Sequence, residues 1–597
     1  QGNPVAQLTT GYNDTFESTV IAALEFEQKL DFLTKGLRFK ALGTFKNWSK
    51  SINKYSAGWN KYLLGSYEQN EDGSYSYTTN RVGNEVSTDL NSTNETAGDR
   101  RIYLEAMVDY NRTFGRHDVN AMLLYNQDEL VNNVPGNNLI NSLPKRKQGL
   151  AGRLSYAYDG KYMAEVNMGY NGSENFAKGH RWGFFPSIAL GYNISEESFF
   201  EPLRKVITSM KLRGSWGLVG NDQIGGERFI YMPTINLSGK GFTTGIDQNY
   251  GLSGPVYTRY ENNSITWEVG EKINLGIDLQ LLNSLNIVVD IFRETRRDIF
   301  QKKGTIPTYL GTGNTDVFGN LAEMKNQGLD LSIDYNKAFS KDFYMNFKGT
   351  FTYAHNEITK YDEAPKYAFQ SKVGQSANVS QGYLSNGLFL DEAEIDRYNQ
   401  QMGSTLGAGD IKYLNVSNMH GYGDDIVDVD DWTWIGNPTV PEIVYGFGPS
   451  FKYKNWDFSF FFQGVAKTSL FMSGFHPFGD NSLRNVLQFV ANDRWSPTNQ
   501  NVDAKYPRLT RKTSLNNTNP GNSGRTSDYW MRDGSFLKLK NMELGYTFKR
   551  MRFYISGSNL LTFSKFDLWD PEQGGGSGLK YPTQRVFNVG FQMTFNN

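Results

Sequence analysis

The alternation of apolar and polar positions is clearest at the end of the chain. From Arg585 to Phe595, Phe587, Val589, Phe591, Met593 and Phe595 fall on one face, and Asn588, Gly590, Gln592 and Thr594 on the other. A period of two predicts a strand, because successive side chains point to opposite sides of a sheet. Chain termini are ordinarily loose and polar. A strictly alternating aromatic terminus instead fits the last strand of a transmembrane β-barrel, with apolar residues toward lipid and small polar ones toward the lumen. On this reading Val589, Phe591, Met593 and Phe595 mark the barrel-closing strand. The plainer alternative is a final edge strand of a soluble sandwich.

The pattern recurs upstream. Ile265, Trp267, Val269, Ile273, Leu275, Ile277 and Leu279 share a face interrupted only by Glu271. This run of about 16 residues, Ile265 to Gln280, exceeds the usual soluble strand of ~5–6 and suffices to cross a bilayer at a tilt. Ile265, Trp267, Ile273, Leu275 and Ile277 are expected to face outward. Trp456, Phe458, Phe460 and Phe462 repeat the pattern, as do Tyr445, Phe447, Phe451 and Tyr453, although Pro449 weakens that run. In 535–549 the apolar face changes phase, from Leu537 and Leu539 to Met542, Leu544, Tyr546 and Phe548, which predicts a β-bulge near Lys540 or Asn541. Seventeen strands are predicted in all, at 18–29, 36–47, 101–113, 118–127, 148–158, 161–170, 183–193, 210–219, 265–280, 285–297, 326–338, 342–355, 442–453, 456–468, 535–549, 551–560 and 584–597.

Their connections are sorted by length. Short turns such as Asp159-Gly160, Lys454-Asn455 and Lys549-Arg550 follow the first strand of each pair; long polar loops at 48–100, 220–264, 298–325, 356–441 and 469–534 follow the second. Transmembrane barrels sort their loops in this way, with short periplasmic turns and long extracellular loops. The exception on the short side is 194–209, where a helical turn is expected around Phe199 to Val206. If the C-terminus is periplasmic, both the last and the first of these strands run inward, so an even barrel needs an odd number of strands before residue 1. The expected fold is all-β, a large antiparallel transmembrane β-barrel.

Composition narrows the partners. The 61 Lys+Arg balance 62 Asp+Glu, which gives no electrostatic reason to expect nucleic acid. A hydrophobic content of 38% with 14% aromatics suits many strands joined by polar loops. There is no cysteine, which excludes disulfides, thiol catalysis and Cys-ligated metals.

Several segments carry a family resemblance. Arg532-Asp533-Gly534-Ser535-Phe536-Leu537-Lys538-Leu539-Lys540-Asn541 with Leu544-Gly545-Tyr546-Thr547-Phe548 resembles the closing hairpin of the SusC/RagA family of TonB-dependent outer-membrane transporters. Phe553 to Leu560, Asp570-Pro571-Glu572, Lys211 to Gly217 with Gly220-Asn221, Trp182 to Ser187, Trp267-Glu268 with Asn274-Leu275-Gly276, and Asn326 to Asp330 continue it. The chain departs from the family at Gly169 to Ser173, where an arginine-aspartate pair is usual, and at Asn596-Asn597, which follow the usual terminal phenylalanine. The resemblance implies a barrel of about 22 strands with an N-terminal plug, a TonB partner and a SusD-like lipoprotein lid. Residues 1–597 would then be a partial barrel domain, set in outer-membrane lipid and lipopolysaccharide, with the plug and the first strands lying outside this sequence. Twenty-two less seventeen is about five, odd as parity requires.

Catalytic chemistry is not legible. The five histidines form no HExxH or close pair, and Gly574 to Gly578 lacks the following helix of a phosphate cradle. No enzyme activity is expected. The acidic stretch from Asp410 to Asp431 stands where the family often carries a loop resembling an EF-hand; Asn415, Asp428 and Asp431 match possible Ca²⁺ positions, although Met419 to Gly423 lengthen the gap. A solvated acidic loop is the alternative. Trp432, Trp434 and Trp530 are candidate substrate contacts, since an aromatic face stacks on a sugar or packs against a peptide; girdle or core is the competing role. The resemblance implies active import of an oligosaccharide or peptide. A structural docking subunit of a larger outer-membrane complex is the rival, and a soluble multi-sheet glycan-binding protein a third reading.

Overall fold

In the computed structural model, which describes residues 4–136, 139–307, 316–398, 400–401, 406–422, 424–472, 486–509 and 526–595, all seventeen expected strands are present. They are β1 (Gly11–Lys29), β2 (Leu37–Ser56), β3 (Asn91–Phe114), β4 (His117–Asn132), β5 (Lys145–Tyr158), β6 (Tyr162–Ser173), β7 (Trp182–Asn193), β8 (Ile207–Asn221), β9 (Glu268–Leu281), β10 (Leu285–Lys302), β11 (Phe318–Ala338), β12 (Phe343–Lys360), β13 (Ile443–Tyr453), β14 (Trp456–Ala466), β15 (Phe536–Phe548), β16 (Met551–Ser564) and β17 (Val586–Met593). Among the described residues no helix is long and apolar enough to cross a membrane.

The chain forms two compact units. The first holds residues 1–112, 120–153 and 169–174. In it β1 pairs with β2 from Gly11 opposite Ser56 to Lys29 opposite Arg38, and β2 pairs with β3 from Leu37 opposite Tyr110 to Ser56 opposite Asn91. These strands outrun the expectation. The loop at 48–100 shrinks to 57–90 and contains its own hairpin, Lys61–Gln69 with Tyr75–Val82. The 24 residues of β3 extend ~80 Å at ~3.3 Å each, well beyond a membrane crossing. The extra length was hidden because segments such as Ser49-Lys50-Ser51 are polar throughout. Where both faces meet water, no period of two is imposed.

The second unit holds residues 113–119, 154–168 and 175–597. Here β7 to β17 follow one another as an antiparallel meander, each hydrogen-bonded to its sequence neighbour. One face is apolar yet exposed: Leu275 is 63% exposed, Ile291 60% and Ile555 58%. The opposite face carries ion clusters. Arg213 donates to Asp278 at 2.8–3.1 Å and to Asp290 at 3.0–3.1 Å, and Arg552 bridges Asp457 and Glu543. A soluble sandwich hides its apolar face and wets the polar one. This arrangement is the reverse, and it removes the soluble sandwich reading.

The expected bulge lies at Lys540. The ladder steps from Phe461 opposite Asn541 to Phe462 opposite Leu539, and Lys540 is the unpaired extra residue. The short side holds the tight turns; Asp159 and Gly160 have φ of 54° and 66°, the paired positive values of a type I′ hairpin. The longer connection after β7 contains 3₁₀ turns at Ile194–Glu196 and Ser198–Leu203.

Two expectations about orientation are corrected. Ile265 and Trp267 do not face outward: they precede β9 and are 2% and 7% exposed, in a cluster with Phe176, Ile224 and Ile230. Trp267 donates its indole N–H to the Arg181 carbonyl at 3.2 Å. The apolar alternation thus runs on past the sheet into a loop core, and Ile273 and Leu275 alone keep the expected exposure of 42% and 63%, with Ile277 half-buried. The last strand spans Val586–Met593 rather than 584–597, pairing with β16 from Met551 opposite Met593 to Ser558 opposite Val586. Phe595 lies beyond its end, and Asn596-Asn597 lie outside the described residues.

Candidate functional site

The long connections of the second unit build a body of their own. Segments from 361–442, 467–535 and 565–585 share a buried core that includes Leu388, Ile411, Met472, Val490, Trp495 and Trp530. Trp530 is 1% exposed, so it is a structural pillar and offers no face to a ligand. Trp432 packs half-buried against the same core, edge-on to Tyr383. Trp434 donates Nε1–H to the Ser371 carbonyl at 2.8 Å and lines a cavity of about 340 Å³ with Tyr361, Lys372, Ile358 and Met324. The three tryptophans therefore do not form one ligand platform. Aromatic identity alone did not separate core from surface.

The acidic stretch is a latch for its own backbone. The Asp431 carboxylate, 0% exposed, accepts from Ser417 N–H at 2.9 Å and Asp428 N–H at 2.8 Å. Asp428 caps the next turn by accepting from Asp430 N–H. Asn415 accepts from Asn418 N–H at 2.7 Å and from the Ser417 hydroxyl at 3.0 Å, and donates toward Asp424. Burial pushes the Asp431 carboxyl up. Burial acts in the same sense on Asp424, but hydrogen bonds from Ile426 N–H, Asn415 and Ser417 outweigh it and hold that carboxyl below its usual range. Among the described residues no group of three or more His, Cys, Asp or Glu is placed to hold a metal ion. The oxygens expected at a Ca²⁺ site are engaged here by N–H and O–H donors.

Beside this latch stands a patch that sequence reasoning missed. Tyr367 and Tyr422 rings lie 4.2 Å apart, Phe369 stacks on His420 at 4.7 Å, and Tyr367 stacks on Phe369 at 5.4 Å. Tyr422 is 50% exposed and the neighbouring Met419 70%. The residues come from two segments about 50 positions apart. The usable signal was Met419 to Tyr422, an insertion into an otherwise acidic loop that carries an aromatic ring.

Below the loop body a charged joint ties it to the sheet. Lys538 on β15 is 1% exposed and donates to Asp570 at 2.5 Å and Glu572 at 2.7 Å; Lys540 donates to Glu572 at 2.7 Å. A second pair, Arg508 to Asp410 at 2.6 and 3.0 Å, ties two segments of the body together. Asp410 is 0% exposed, and its hydrogen bonds hold the Arg508 guanidinium above its ordinary value.

The comparisons with known proteins agree with this architecture. The family model of TonB-dependent receptor-like β-barrels matches residues 3–560. TonB-dependent receptor P3 of Formosa agariphila is 25% identical over 657 residues, spanning 99% of this chain and 60% of that protein. TonB-dependent receptor SusC of Bacteroides thetaiotaomicron is 28% identical over 471 residues, spanning 74% of this chain and 43% of that protein. The solved RagAB peptide transporter aligns at a TM-score of 0.70 and 18% identity, covering 98% of this chain and 62% of the solved one. The chain thus spans roughly half the length of the curated relatives it matches. The family is made up of receptors and transporters. With an outward apolar face, an inward charged one and a family match over nearly its whole length, the chain belongs to the TonB-dependent receptor β-barrels of the SusC/RagA kind, in the bacterial outer membrane.

Proposed function

We propose that the chain forms most of the barrel of an importer that takes up an oligosaccharide or a peptide, with TonB supplying energy through a part of the protein beyond this barrel and a SusD-like surface lipoprotein acting as lid. The observation that carries this reading is the aromatic patch Tyr367, Phe369, His420 and Tyr422 on a loop body with its own core. A ring held on a rigid support binds without ordering a loop first, which keeps the entropic cost of capture low. Aromatic faces serve sugar rings and peptide side chains alike, and the charged inner face of the sheet gives a polar solute a wet path. The solved RagAB peptide transporter, which shares this fold, supports a peptide as one such cargo.

The test uses the full-length protein in its own outer membrane, with Phe369→Ala and Tyr422→Ala combined. Removing two aromatic contacts of ~1 kcal/mol each predicts a fall of roughly 10–30-fold in uptake of fluorescent oligosaccharides or peptides at limiting concentration. Barrel insertion should be unchanged. Unaltered uptake of every cargo that the wild type imports would overturn the role of the patch.

A further inference from the structure

The outward face of the second unit is interrupted at Gly214. Gly214 on β8 lies opposite Leu190 of β7 and Leu275 of β9, in a row otherwise filled by large side chains. The gap is a groove of about 540 Å³ whose walls include Tyr162, Leu190, Tyr192, Leu212 and Leu275. That volume falls within the ~300–1,000 Å³ of ordinary ligand sites. Tyr162 and Tyr192 stack at 5.1 Å at its lower end, next to the turn after β7.

That turn is built as a continuation of the groove. Tyr162 donates its hydroxyl to Glu197 at 2.6 Å, and Lys161 pairs with Glu197 at 3.8 Å, so the groove wall and the turn are tied together. Arg204 donates to the Ser195 carbonyl at 2.7 Å and faces Glu196 at 3.9 Å. Three large apolar side chains nevertheless point into the surroundings: Phe199 is 68% exposed, Leu203 52% and Val206 56%. Phe200 between them is buried at 4%, so the sequence could have hidden a ring here and exposes Phe199 instead. The turn also mixes charge, with Glu196, Glu197 and Glu201 beside Arg204 and Lys205. Exposed apolar groups interleaved with both signs of charge suit the boundary between acyl chains and head groups.

We propose that the groove over Gly214 seats an acyl chain of a zwitterionic glycerophospholipid of the periplasmic leaflet, with its head group resting on the turn at 194–206. The occupant follows from position. The groove opens on the face that meets hydrocarbon, at the short-turn end of the strands, which in barrels of this family is the periplasmic side. Lipopolysaccharide belongs at the opposite, long-loop end. The phosphate meets Arg204 and Lys205 while the ammonium meets the acidic residues, so neither a purely anionic nor a cationic head group matches the turn as well.

Substitution at Gly214 gives the test, because a Cβ there would meet only Leu275 Cδ2, at 3.4 Å, an ordinary contact. Gly214→Leu fills the groove without forcing the backbone; Gly214→Ala is the milder variant. The full-length protein is reconstituted in phosphatidylethanolamine nanodiscs, extracted into detergent, washed exhaustively and measured by native mass spectrometry and lipid phosphorus. Wild type is expected to retain stoichiometric phosphatidylethanolamine, Gly214→Ala less, and Gly214→Leu none. Ile555→Leu, on β16 of the same outward face and away from the groove, should retain as much as wild type. Full retention by a heat-modifiable, inserted Gly214→Leu protein would overturn the proposal, and so would a wild type washed free of lipid as readily as its bulk annulus. Because retention is read without transport, the result is independent of whether the import reading holds.

Discussion

Replacing Lys538 with methionine removes an ammonium that is 1% exposed and held at 2.5 Å from Asp570 and 2.7 Å from Glu572. Burial alone would raise both carboxyls; hydrogen bonds from Lys538 outweigh it and keep them below their usual range, with Lys540 adding to the effect on Glu572. Taking one partner from a buried pair costs ~3–5 kcal/mol, because the other charge is left without compensation. The carboxylates are 17% and 33% exposed, and Glu572 keeps Lys540 at 2.7 Å, so the cost falls at the low end. A value of ~3 kcal/mol corresponds to roughly 150-fold in the local opening equilibrium of 565–585.

Hydrogen exchange on the full-length protein reads this directly. The Glu572, Gln573 and Gly574 amides, which donate to Asp570 Oδ1, the Asp570 carbonyl and the Pro571 carbonyl, should exchange about 100-fold faster in Lys538→Met, while the amides of β15 and β16 keep their protection. Adding Asp570→Asn and Glu572→Gln should restore most of the protection, since removing both sides of a pair costs far less than removing one. The sign with pH follows from the depressed carboxyls. Their contribution is present above the unfolded carboxylate range of ~4 and is lost as pH falls through the lower folded values. Wild-type exchange at 565–585 in the single variant at neutral pH would refute the argument.

Three further outcomes are expected. Arg508→Met strands the fully buried Asp410 and should destabilise the loop body by ~3–5 kcal/mol, seen as rapid proteolysis of the loops with the barrel still heat-modifiable; equal resistance to protease would refute it. Because the oxygens of Asn415, Asp428 and Asp431 already accept N–H and O–H groups, Ca²⁺ should give no saturable binding heat with the full-length protein; a heat abolished by Asp431→Ala would show that the latch rearranges around an ion. Phe591→Asp removes a ring packed 5.1 Å from Phe553 and should cost ~2 kcal/mol and lower the yield of inserted barrel, whereas Phe595→Asp, beyond the last ladder pair, should cost less; equal yields of the two in outer-membrane fractions would contradict this order.

The strands were legible because a membrane imposes a two-state environment on each residue pair. Where Phe553, Ile555 and Phe591 meet hydrocarbon and Ser556, Asn588 and Gln592 meet water, the alternation is unavoidable and the sequence shows it. Above the membrane that constraint ends, and β2 and β3 run on as polar ladders with no period to read. The same limit misplaced Ile265 and Trp267, whose alternation continues the phase of β9 while serving a loop core. The loop sites were illegible for another reason: the patch at Tyr367 and Tyr422, and the pair Asp410 and Arg508, are joined by folding of segments about 50 and 100 residues apart, and no local pattern encodes such a meeting.

The bulge at Lys540 shows how far a local signal reaches and where it stops. Its existence follows from the phase change of the apolar face, since unbroken alternation after Leu537 and Leu539 would turn Asn541 and Glu543 toward lipid. Glu543 instead accepts from Arg552 on the inner face, as the extra residue requires. The same residue does a second thing that only the register reveals. Lys538 and Lys540, on the loop side of the bulge, both reach Glu572, and Lys538 also reaches Asp570 in the turn after β16. One inserted residue thus lets a single strand keep Leu537, Leu539, Met542 and Leu544 on one apolar face, with Met542 and Leu544 exposed, and present two ammonium groups to the loop above it. Deleting Lys540 would place Leu537, Leu539, Met542, Leu544 and Tyr546 in one unbroken alternation, so the apolar face would survive and the loss would fall on the second ammonium at Glu572 and on the bulged register opposite Phe461 and Phe462.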